Sequence, residues 1–292
     1  MEPSILTRSG ISLERLGSLL AFADAGSIVR AADGDPVRSS LISRQLGELE
    51  KFFAVELVAK KGKGLILTEE GKRLTALVRE QFQALEDFGK STTGKSVRLS
   101  LGAGNTILEW LVAPRLGPAA MKGVEFDLHH ERQAEMIAHL QEGSLDLAII
   151  AKEPLGRQFA TAPLGAIDYA LYIPKKLGGG LVLRHALRQL PLAMPIGGRV
   201  RDAVIKYAGE LRAGTLGTTG YLNAVASVKA GHYASVLPTL AAHDLGNAVR
   251  CIRIPESVIP TRRIVLAWKK RTADTRPAVE KAIRYLRELL VF

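Results

Sequence analysis

The sequence predicts an α/β protein whose N-terminal segment is almost entirely helical. Up to about residue 90, apolar residues recur every three or four positions, which is the spacing of an amphipathic helix. From residue 97 onward, strand-like apolar runs alternate with helical stretches, the pattern that produces a sheet covered by helices. The chain has 292 residues, 47% hydrophobic and 24% charged, which is the balance of a folded globular protein and not of a disordered or collagen-like one.

The length, the cysteine content and the first residues restrict the class of protein further. At roughly 150 residues per domain, the length suggests two domains, each large enough for its own core. The single cysteine, Cys251, has no partner for an internal disulfide, so a reducing cytoplasm is expected. The start lacks the charged and apolar pattern of a signal peptide, and no stretch of about 18 uncharged apolar residues occurs, so neither secretion nor a membrane span is expected.

The net charge favours polyanionic partners but does not place them. Lys and Arg total 40 against 29 Asp and Glu, a net charge of +11 that suits nucleic acid or anionic metabolites. Residues 1–96 hold 14 basic and 13 acidic side chains, or +1, which leaves +10 for residues 97–292. Local patterns therefore have to locate any DNA-binding surface.

The N-terminal segment predicts three helices with a tight turn between the second and the third. Gly26 can end the first helix and Ser27 can cap the second. Asp35-Pro36 marks a turn, after which residues 39–53 predict a third helix. The second and third helices, with the turn between them, have the order of a helix-turn-helix. In that motif the later of the two helices reads DNA. The apolar face of the first helix is formed by Leu13, Leu16, Leu20 and Ala23.

A basic hairpin and a long helix are predicted next. Residues 60–64, Lys-Lys-Gly-Lys-Gly, form a turn between apolar residues 55–58 and 65–67, which predicts a wing able to grip phosphates. Residues 68–88 repeat apolar positions over more turns than one small domain needs, so we interpret them as a linker and dimerisation helix. The predicted units are therefore residues 1–67, 68–96 and 97–292.

The third unit opens with an alternating strand at residues 97–101 and continues with strand-like runs at 145–150 and 169–174. A closing helix is predicted over residues 281–290. No repeat of 20–50 residues interrupts this pattern.

Five stretches, in this order, resemble the LysR-type transcriptional regulators along nearly the whole chain. They are residues 22–32 with Gly26-Ser27 and Ala31-Ala32, 43–50 with Ser43-Arg44-Gln45, 67–71 with Leu-Thr-Glu-Glu-Gly, 142–148 with Glu-Gly-Ser-Leu-Asp-Leu-Ala, and 228–238 from Val-Lys-Ala-Gly to Leu-Pro. The resemblance implies an N-terminal winged helix-turn-helix, a long dimerisation helix and a two-lobed α/β effector domain like a periplasmic binding protein. It also implies a homodimer or homotetramer that binds double-stranded DNA.

The candidate DNA contacts are short hydroxyls and cations on the predicted reading helix and wing. Side chains on the first turns of the reading helix can reach base edges or phosphates. The guanidinium of Arg44 suits a bidentate contact to guanine. The alternative is that Ser39 or Ser40 only caps the helix, and that Arg44 and the wing lysines are ordinary solvated charges. The full set is Arg30, Arg38, Ser39, Ser40, Ser43, Arg44, Lys60, Lys61 and Lys63.

A small-molecule site is expected in the C-terminal unit. Gly104, Asn105 and Thr106 follow its first strand and can present amides and hydroxyls to an anion at a helix start. The resemblance implies a cleft between two lobes, with the second lobe supplying the opposing residues. Those residues are Gly197, Gly198, Thr218 and Thr219.

One motif indicates a different class. Residues 89–96, Gly-Lys-Ser-Thr-Thr-Gly-Lys-Ser, match the phosphate-loop pattern in full, but a helix precedes them and a strand follows, the reverse of what that loop requires. They are better interpreted as a polar hinge. No catalytic, metal or cofactor site is predicted, and Cys251 is expected to be buried and inert.

The predicted function is a sequence-specific transcriptional regulator controlled by a small-molecule effector, and the positive net charge is compatible with an anionic one. Two alternatives stay open. One is a small-molecule-binding oligomer without specific DNA recognition, and the other is a phosphate-loop nucleotide-binding protein.

Overall fold

The structure is a computed structural model that describes residues 10–62, 64–117, 121–178, 180–212 and 214–292. Within them the chain forms a helical N-terminal unit, one long helix and two α/β lobes. The predicted fold class is confirmed. Lys63, one of the predicted phosphate contacts, lies outside the described residues.

The N-terminal unit contains three helices, α1 (Leu13–Ala25), α2 (Ile28–Ala31) and α3 (Pro36–Phe53). Gly26 ends α1 in the left-handed conformation with φ 67°, and the Ser27 side chain accepts a hydrogen bond from the Arg30 amide. The predicted helix end and cap are therefore confirmed. The buried core that holds the three helices together consists of Leu19, Phe22, Ala32, Ile42, Leu46, Leu49 and Leu57.

The reading helix begins three residues earlier than predicted. Asp35 caps it, since its Oδ1 accepts hydrogen bonds from the amides of Val37 at 2.7 Å and Arg38 at 3.3 Å. Pro36 occupies the first helical position, where a missing N–H removes no bond and the fixed φ suits the helix. Asp35-Pro36 is thus the start of α3 and not a separate turn, and neither Ser39 nor Ser40 is its cap.

The wing differs from the prediction in its strand bounds. Strand β1 (Val58–Lys61) pairs antiparallel with β2 (Gly64–Leu67), and Lys61 faces Gly64 across the ladder. Lys60 and Lys61 are therefore strand residues and not part of a flexible turn. The first strand begins at Val58, where the prediction placed its last residue.

The long helix α4 (Glu69–Thr92) starts in close contact with the wing. Thr68 caps it, accepting from the Gly71 amide at 2.9 Å and donating to the Glu56 carbonyl at 2.6 Å. A Cβ at Gly71 would lie 2.1 Å from the Leu57 carbonyl oxygen, so only glycine lets the helix approach this closely. The helix continues to Thr92, four residues beyond the predicted end.

The remaining strands and helices form the two lobes. The strands are β3 Val97–Ala103, β4 Val124–His130, β5 Leu147–Ala151, β6 Phe159–Ile167, β7 Tyr169–Pro174, β8 Ala193–Pro195, β9 Leu216–Thr218, β10 Ser235–Pro238, β11 Val249–Arg253 and β12 Arg262–Lys269. The helices are α5 Asn105–Ile107, α6 Gln133–Glu142, α7 Leu183–Gln189, α8 Arg199–Ala208, α9 Tyr221–Lys229, α10 Ala242–Leu245, α11 Lys270–Thr275 and α12 Pro277–Leu290.

Lobe one is built on a five-stranded sheet of order β4-β3-β5-β12-β6. β3 is parallel to both of its neighbours, whereas β12 is antiparallel to β5 and β6. α12 packs on this sheet through Val279, Ile283 and Leu286. The strand predicted at residues 145–150 begins at Leu147, and the closing helix begins at Pro277, four residues earlier than predicted.

Lobe two comprises residues 169–254 and contains the sheets β10-β7-β11 and β8-β9. β11 is an edge strand, and Cys251 in it is exposed. The prediction of a buried Cys251 is therefore wrong, because its side chain leaves the strand on the face opposite to Ile252, which packs against the core of lobe two. Partial burial still raises the pKa of its thiol, which disfavours the reactive thiolate.

The chain crosses between the lobes twice. The crossings meet where the Thr261 hydroxyl donates to Asp168 Oδ1 at 2.6 Å. At another point the indole of Trp110, on a π-helical turn at Leu108–Val112, donates to Asp244 of α10 at 3.1 Å. The Thr261–Asp168 bond ties the two crossings together, and the Trp110–Asp244 bond holds lobe two against lobe one, while a cleft remains between the lobes.

A buried cluster of charges joins α4 to lobe one. The Arg276 side chain is 2% exposed, and its Nε donates to Asp87 of α4 at 2.7 Å. The same guanidinium pairs with Asp146 and donates to Gln83 at 3.2 Å. Although burial alone would lower the pKa of Arg276, the charges of Asp146 and Asp87 outweigh that effect and raise it.

A second set of ion pairs reinforces the joint about two turns before Asp87. Glu80 of α4 is 1% exposed and pairs with Lys269 and, at 3.4 Å, with Arg271. α4 is therefore attached to lobe one along about two of its turns. Within the described part of the chain, no helix is both long and apolar enough to span a bilayer.

Candidate DNA-reading helix and ligand cleft

One face of α3 is open to solvent, while the opposite face is buried in the N-terminal core. Ile42, Leu46 and Leu49 lie on the buried face. On the open face, Arg44 is 70% exposed in its side chain, and Ser40 and Ser43 are also exposed. The helical spacing places these residues together on a surface that fits a major groove. Ser39, by contrast, is only half-exposed at the edge of the core.

The candidate arginines differ in how firmly they are held. Arg38 forms an ion pair with Asp33 at 2.9 Å, and Arg30 donates to the Ser27 hydroxyl at 3.3 Å. Arg44 only approaches Glu48, at 3.9 Å. Its guanidinium therefore has the greatest freedom to form two parallel hydrogen bonds with a base edge.

The first turn of α3 exposes an apolar residue that the sequence analysis missed. Val37 is 77% exposed, one turn before Ser40 on the same side of the helix. A valine in this place can contact the methyl group of thymine. The available signal was its position directly after Pro36, which starts the helix.

The wing presents its lysines to two different sides. Lys60 and Lys61 are consecutive in β1 and both exposed. Because successive strand side chains point to opposite faces, the two lysines cannot both contact the same stretch of phosphate backbone.

The two lobes enclose an open cleft of about 1410 Å³. The predicted residues Asn105 and Thr106 line it from lobe one. From lobe two it is lined by the predicted Gly197, Gly198 and Thr219.

Two predicted cleft residues lie elsewhere. Gly104 belongs to an adjoining cavity of about 300 Å³ behind Thr106. Thr218 is 5% exposed, and among the described residues its hydroxyl has no hydrogen-bond partner. Thr218 is the buried last residue of β9, whereas Thr219 belongs to the bend that follows the strand and opens to the cleft.

Two helices of lobe two begin at the cleft without a side-chain cap. α8 starts after Gly198 and α9 after Gly220, and neither glycine has a side chain that could accept a hydrogen bond from the first-turn amides. Both glycines line the cleft. Open amides at the positive end of a helix favour a negatively charged ligand. Gly198 has φ 95°, a conformation that side chains rarely adopt.

Four cations line the same cleft as these helix starts. Within the described residues none of them takes part in an ion pair, although Arg262 donates weakly to Gln133 at 3.4 Å. Two carboxylates, Glu153 and Glu256, also line the cleft, so the lining keeps a positive balance. No local sequence pattern identifies these cations, because they come from separate stretches that only the fold brings together. They are Lys152, Arg199, Arg262 and Arg263.

A tyrosine pair lies in the same cleft. Tyr169 and Tyr221 have ring centroids 6.4 Å apart, and both line the cleft. Burial first, and then the neighbouring Tyr169, raises the pKa of Tyr221 well above its ordinary value. Its hydroxyl therefore remains protonated and available as a donor at neutral pH.

The phosphate-loop interpretation of residues 89–96 does not fit the fold. Gly89 and Lys90 belong to the last turns of α4, and β3 follows the loop. A phosphate loop needs a strand before it and a helix after it, so the amides here do not converge on a phosphate. Within the described residues, no group of three His, Cys, Asp or Glu side chains is placed to hold a metal ion.

A winged helix-turn-helix joined by one long helix to a two-lobed unit with a central cleft is the architecture of a ligand-responsive DNA-binding protein. Two family models match the chain. The model described as bacterial regulatory helix-turn-helix protein, lysR family, matches residues 13–72, and the LysR substrate binding domain matches residues 92–291. The chain belongs to the LysR family.

Individual known proteins are similar to the chain in sequence or in fold. A probable hydrogen peroxide-inducible genes activator from Mycobacterium leprae is 26% identical over 189 residues, 61% of this chain and 60% of that protein. The matched stretch thus spans less than two thirds of that relative. A full-length OxyR variant from Pseudomonas aeruginosa has a similar fold, with a TM-score of 0.65, 20% identity and coverage of 97% of this chain and 95% of that one.

A second similar fold is that of full-length LysG from Corynebacterium glutamicum, solved with the bound effector Arg. It superposes with a TM-score of 0.62 at 19% identity, covering 94% of this chain and 99% of that one. At this level of identity the likeness concerns the fold.

Proposed function

We propose that the protein is a sequence-reading transcriptional regulator whose binding to DNA is set by an anionic small molecule in the cleft. The reading function rests on the open face of α3, where Val37, Ser40, Ser43 and Arg44 stand clear of the core. We assign it to residues 1–67, dimerisation to 68–96 and effector binding to 97–292. In this proposal the protein binds and does not catalyse, and it acts on DNA in the cytoplasm.

Pairing through α4 is part of the proposal. Leu77, Leu85 and Phe88 are respectively 39%, 60% and 69% exposed, and their spacing places them along one side of the helix. Exposed apolar residues in a row on a long helix suit a second copy of the same helix. A homodimer or homotetramer then presents two reading helices to two half-sites.

Effector control follows from how the lobes are joined. A ligand that closes the cleft turns lobe two about the crossings near Asp168 and Thr261. α4 is fixed to lobe one, so a change at the cleft alters how paired copies are arranged. The ligand can shift DNA binding only as far as its affinities for the two arrangements differ.

Replacing Arg44 by alanine is expected to weaken binding to the specific site by about 1–3 kcal/mol and to relax sequence preference, because a bidentate base contact is lost. Lys60→Ala is expected to weaken all sequences alike. The measurement is fluorescence anisotropy across a salt series, on DNA from upstream of the protein's own gene and on a scrambled duplex. Arg157→Ala, an exposed lobe-one variant, is the control.

An unchanged ratio of specific to scrambled affinity in Arg44→Ala would remove Arg44 from the reading face. If the unaltered protein binds both duplexes equally and weakly, the alternative of a ligand-binding oligomer without DNA recognition is the better one.

Small carboxylates and phosphates are expected to raise the melting temperature of the protein, whereas neutral analogues are not. Arg199→Gln is expected to lower the affinity for such an anion at least about tenfold, since a hydrogen bond between charged groups contributes about 1.5–3 kcal/mol. The measurement is a thermal-shift titration, with Arg157→Gln as the charge-matched control. Stabilisation by neutral ligands alone, or an undiminished shift in Arg199→Gln, would contradict an anionic effector.

A further inference from the structure

The positive charge of the chain is concentrated in lobe two. Residues 169–254 contain 11 basic and 3 acidic side chains, a net +8. Lobe one, residues 97–168 and 255–292, contains 15 basic and 13 acidic side chains, a net +2. The first 96 residues, which hold the reading helix, carry only +1. The unit that reads DNA is therefore almost neutral, and the charge that attracts a polyanion lies elsewhere.

Most cations of lobe two also lack a neighbouring carboxylate that would neutralise them within the described residues. Among the described residues of this lobe, Lys229 alone of the lysines and arginines has a carboxylate within 4.0 Å, that of Asp244. In lobe one, by comparison, Arg98 pairs with Glu125 and Arg276 with Asp87 and Asp146.

Four of these cations lie on α7, on α8 and in the coil that follows α8, and we name them the basic ridge: Arg184, Arg188, Lys206 and Arg212. All four are exposed. Arg184 and Arg188 are one helical turn apart on the outer side of α7, whose other side buries Ala186 and Leu187.

Contacts between the helices keep the basic ridge together. The Arg184 guanidinium lies 5.9 Å from the centroid of the Tyr207 ring of α8. Arg212 donates to the carbonyl of Gln189, the last residue of α7, at 3.2 Å. These contacts orient the side chains without cancelling their charge.

We propose that the basic ridge binds the phosphate backbone of DNA that flanks the stretch read by α3. This rests on the proposed function, since it takes DNA as the partner. Neutralising phosphates releases counterions and supplies much of the affinity of a DNA-binding protein. Because the reading unit has little net charge to do this, lobe two adds sequence-independent binding to that of the wing lysines, while α3 supplies the choice of sequence.

The test compares two fourfold variants of the full chain. One replaces the basic ridge: Arg184→Gln, Arg188→Gln, Lys206→Gln and Arg212→Gln. The control removes the same charge from exposed lobe-one positions: Lys122→Gln, Arg157→Gln, Lys270→Gln and Arg287→Gln. Circular dichroism establishes that both variants are folded before DNA is added.

DNA affinity is then measured against salt concentration on two duplexes, one holding only the two half-sites and one extended on both sides. On the extended duplex, the ridge variant is expected to reduce the slope of log affinity against log salt by about 2–4, at about 0.9 per phosphate contact. On the short duplex its slope is expected to match that of the control. Its preference for the specific sequence over a scrambled one is expected to be unchanged.

A ridge variant that matches the control on the extended duplex would overturn the proposal and leave an acidic protein surface as the better occupant. An equal reduction on both duplexes would overturn it too, because charge acting at a distance needs no contact with flanking DNA. Failure of the proposed function is distinguishable, since the unaltered protein would then show no sequence preference on either duplex.

Discussion

Replacing Arg276 by methionine is expected to destabilise the protein by about 3–5 kcal/mol, the penalty for removing one partner of a buried ion pair. Asp87 and Asp146 would keep their negative charges in a site where Arg276 now donates to both. Ser100 satisfies one oxygen of Asp146, through its amide at 2.8 Å and its hydroxyl at 3.0 Å, but it brings no positive charge. The loss is therefore one of charge compensation as well as of hydrogen bonds.

Urea unfolding followed by circular dichroism measures this effect. Arg287→Met on the adjoining helix α12 is the control, because Arg287 is exposed, and a surface substitution is expected to stay within about 0.5 kcal/mol. Limited proteolysis adds a second readout, since α4 loses its main attachment to lobe one in Arg276→Met and becomes easier to cleave. A change below about 1 kcal/mol would mean that the cluster contributes no more than an exposed pair does.

The same glycine-to-alanine substitution is expected to have opposite effects at two positions of α4. At Gly71 the new Cβ would lie 2.1 Å from the Leu57 carbonyl oxygen and 3.0 Å from its carbon. Leu57 is fully buried, its amide donates to Glu50 at 2.8 Å, and its carbonyl accepts from the Thr68 amide. Burial and these two hydrogen bonds hold the Leu57 backbone in place, so it cannot move away from the new Cβ. Overpacking is therefore expected to cost about 1–3 kcal/mol or more.

At Gly89 a Cβ would meet nothing within 4 Å, so Gly89→Ala is expected to stabilise the helix by about 0.5–1 kcal/mol. The measurements are urea unfolding and anisotropy on specific DNA. Gly71→Ala is expected to lose both stability and DNA binding, because the wing and α3 share one core. Gly89→Ala is expected to retain DNA binding. Equal stability of the two variants would contradict the close packing of α4 on the wing. Loss of function in Gly89→Ala alone would revive the phosphate-loop interpretation.

The parts of the fold predictable from sequence are those set by neighbouring residues. Gly26 and Ser27 fix a helix end and a cap within two positions, and the three N-terminal helices follow from them. The helix start at Pro36 was misplaced because Asp-Pro is typical both of a turn and of a capped first turn. Lys60 was placed in a turn because lysine and glycine dominate the segment, while pairing with Leu65 decides its structure.

The parts that escaped prediction depend on residues far apart in sequence. Arg276 meets Asp146 across 130 positions and Asp87 across 189, so no local pattern announces the cluster. The cleft cations behave in the same way, since Arg199 and Arg262 come from different lobes. Asn105 and Thr106 could be predicted because a polar turn after a strand is a local signal. Their assignment to effector binding stays a prediction.

The strand order of lobe one has a consequence for how the chain folds as it is synthesised. β12 lies between β5 and β6 in the sheet, yet it is made after all of lobe two. On a ribosome the N-terminal unit and lobe two can each close their cores as they emerge, because each is contiguous in sequence. Lobe one cannot complete its sheet at that stage, because the place between β5 and β6 is still empty. Its exposed strand edges are then the part of the nascent chain most open to wrong pairing, until residues 262–269 arrive to fill that gap.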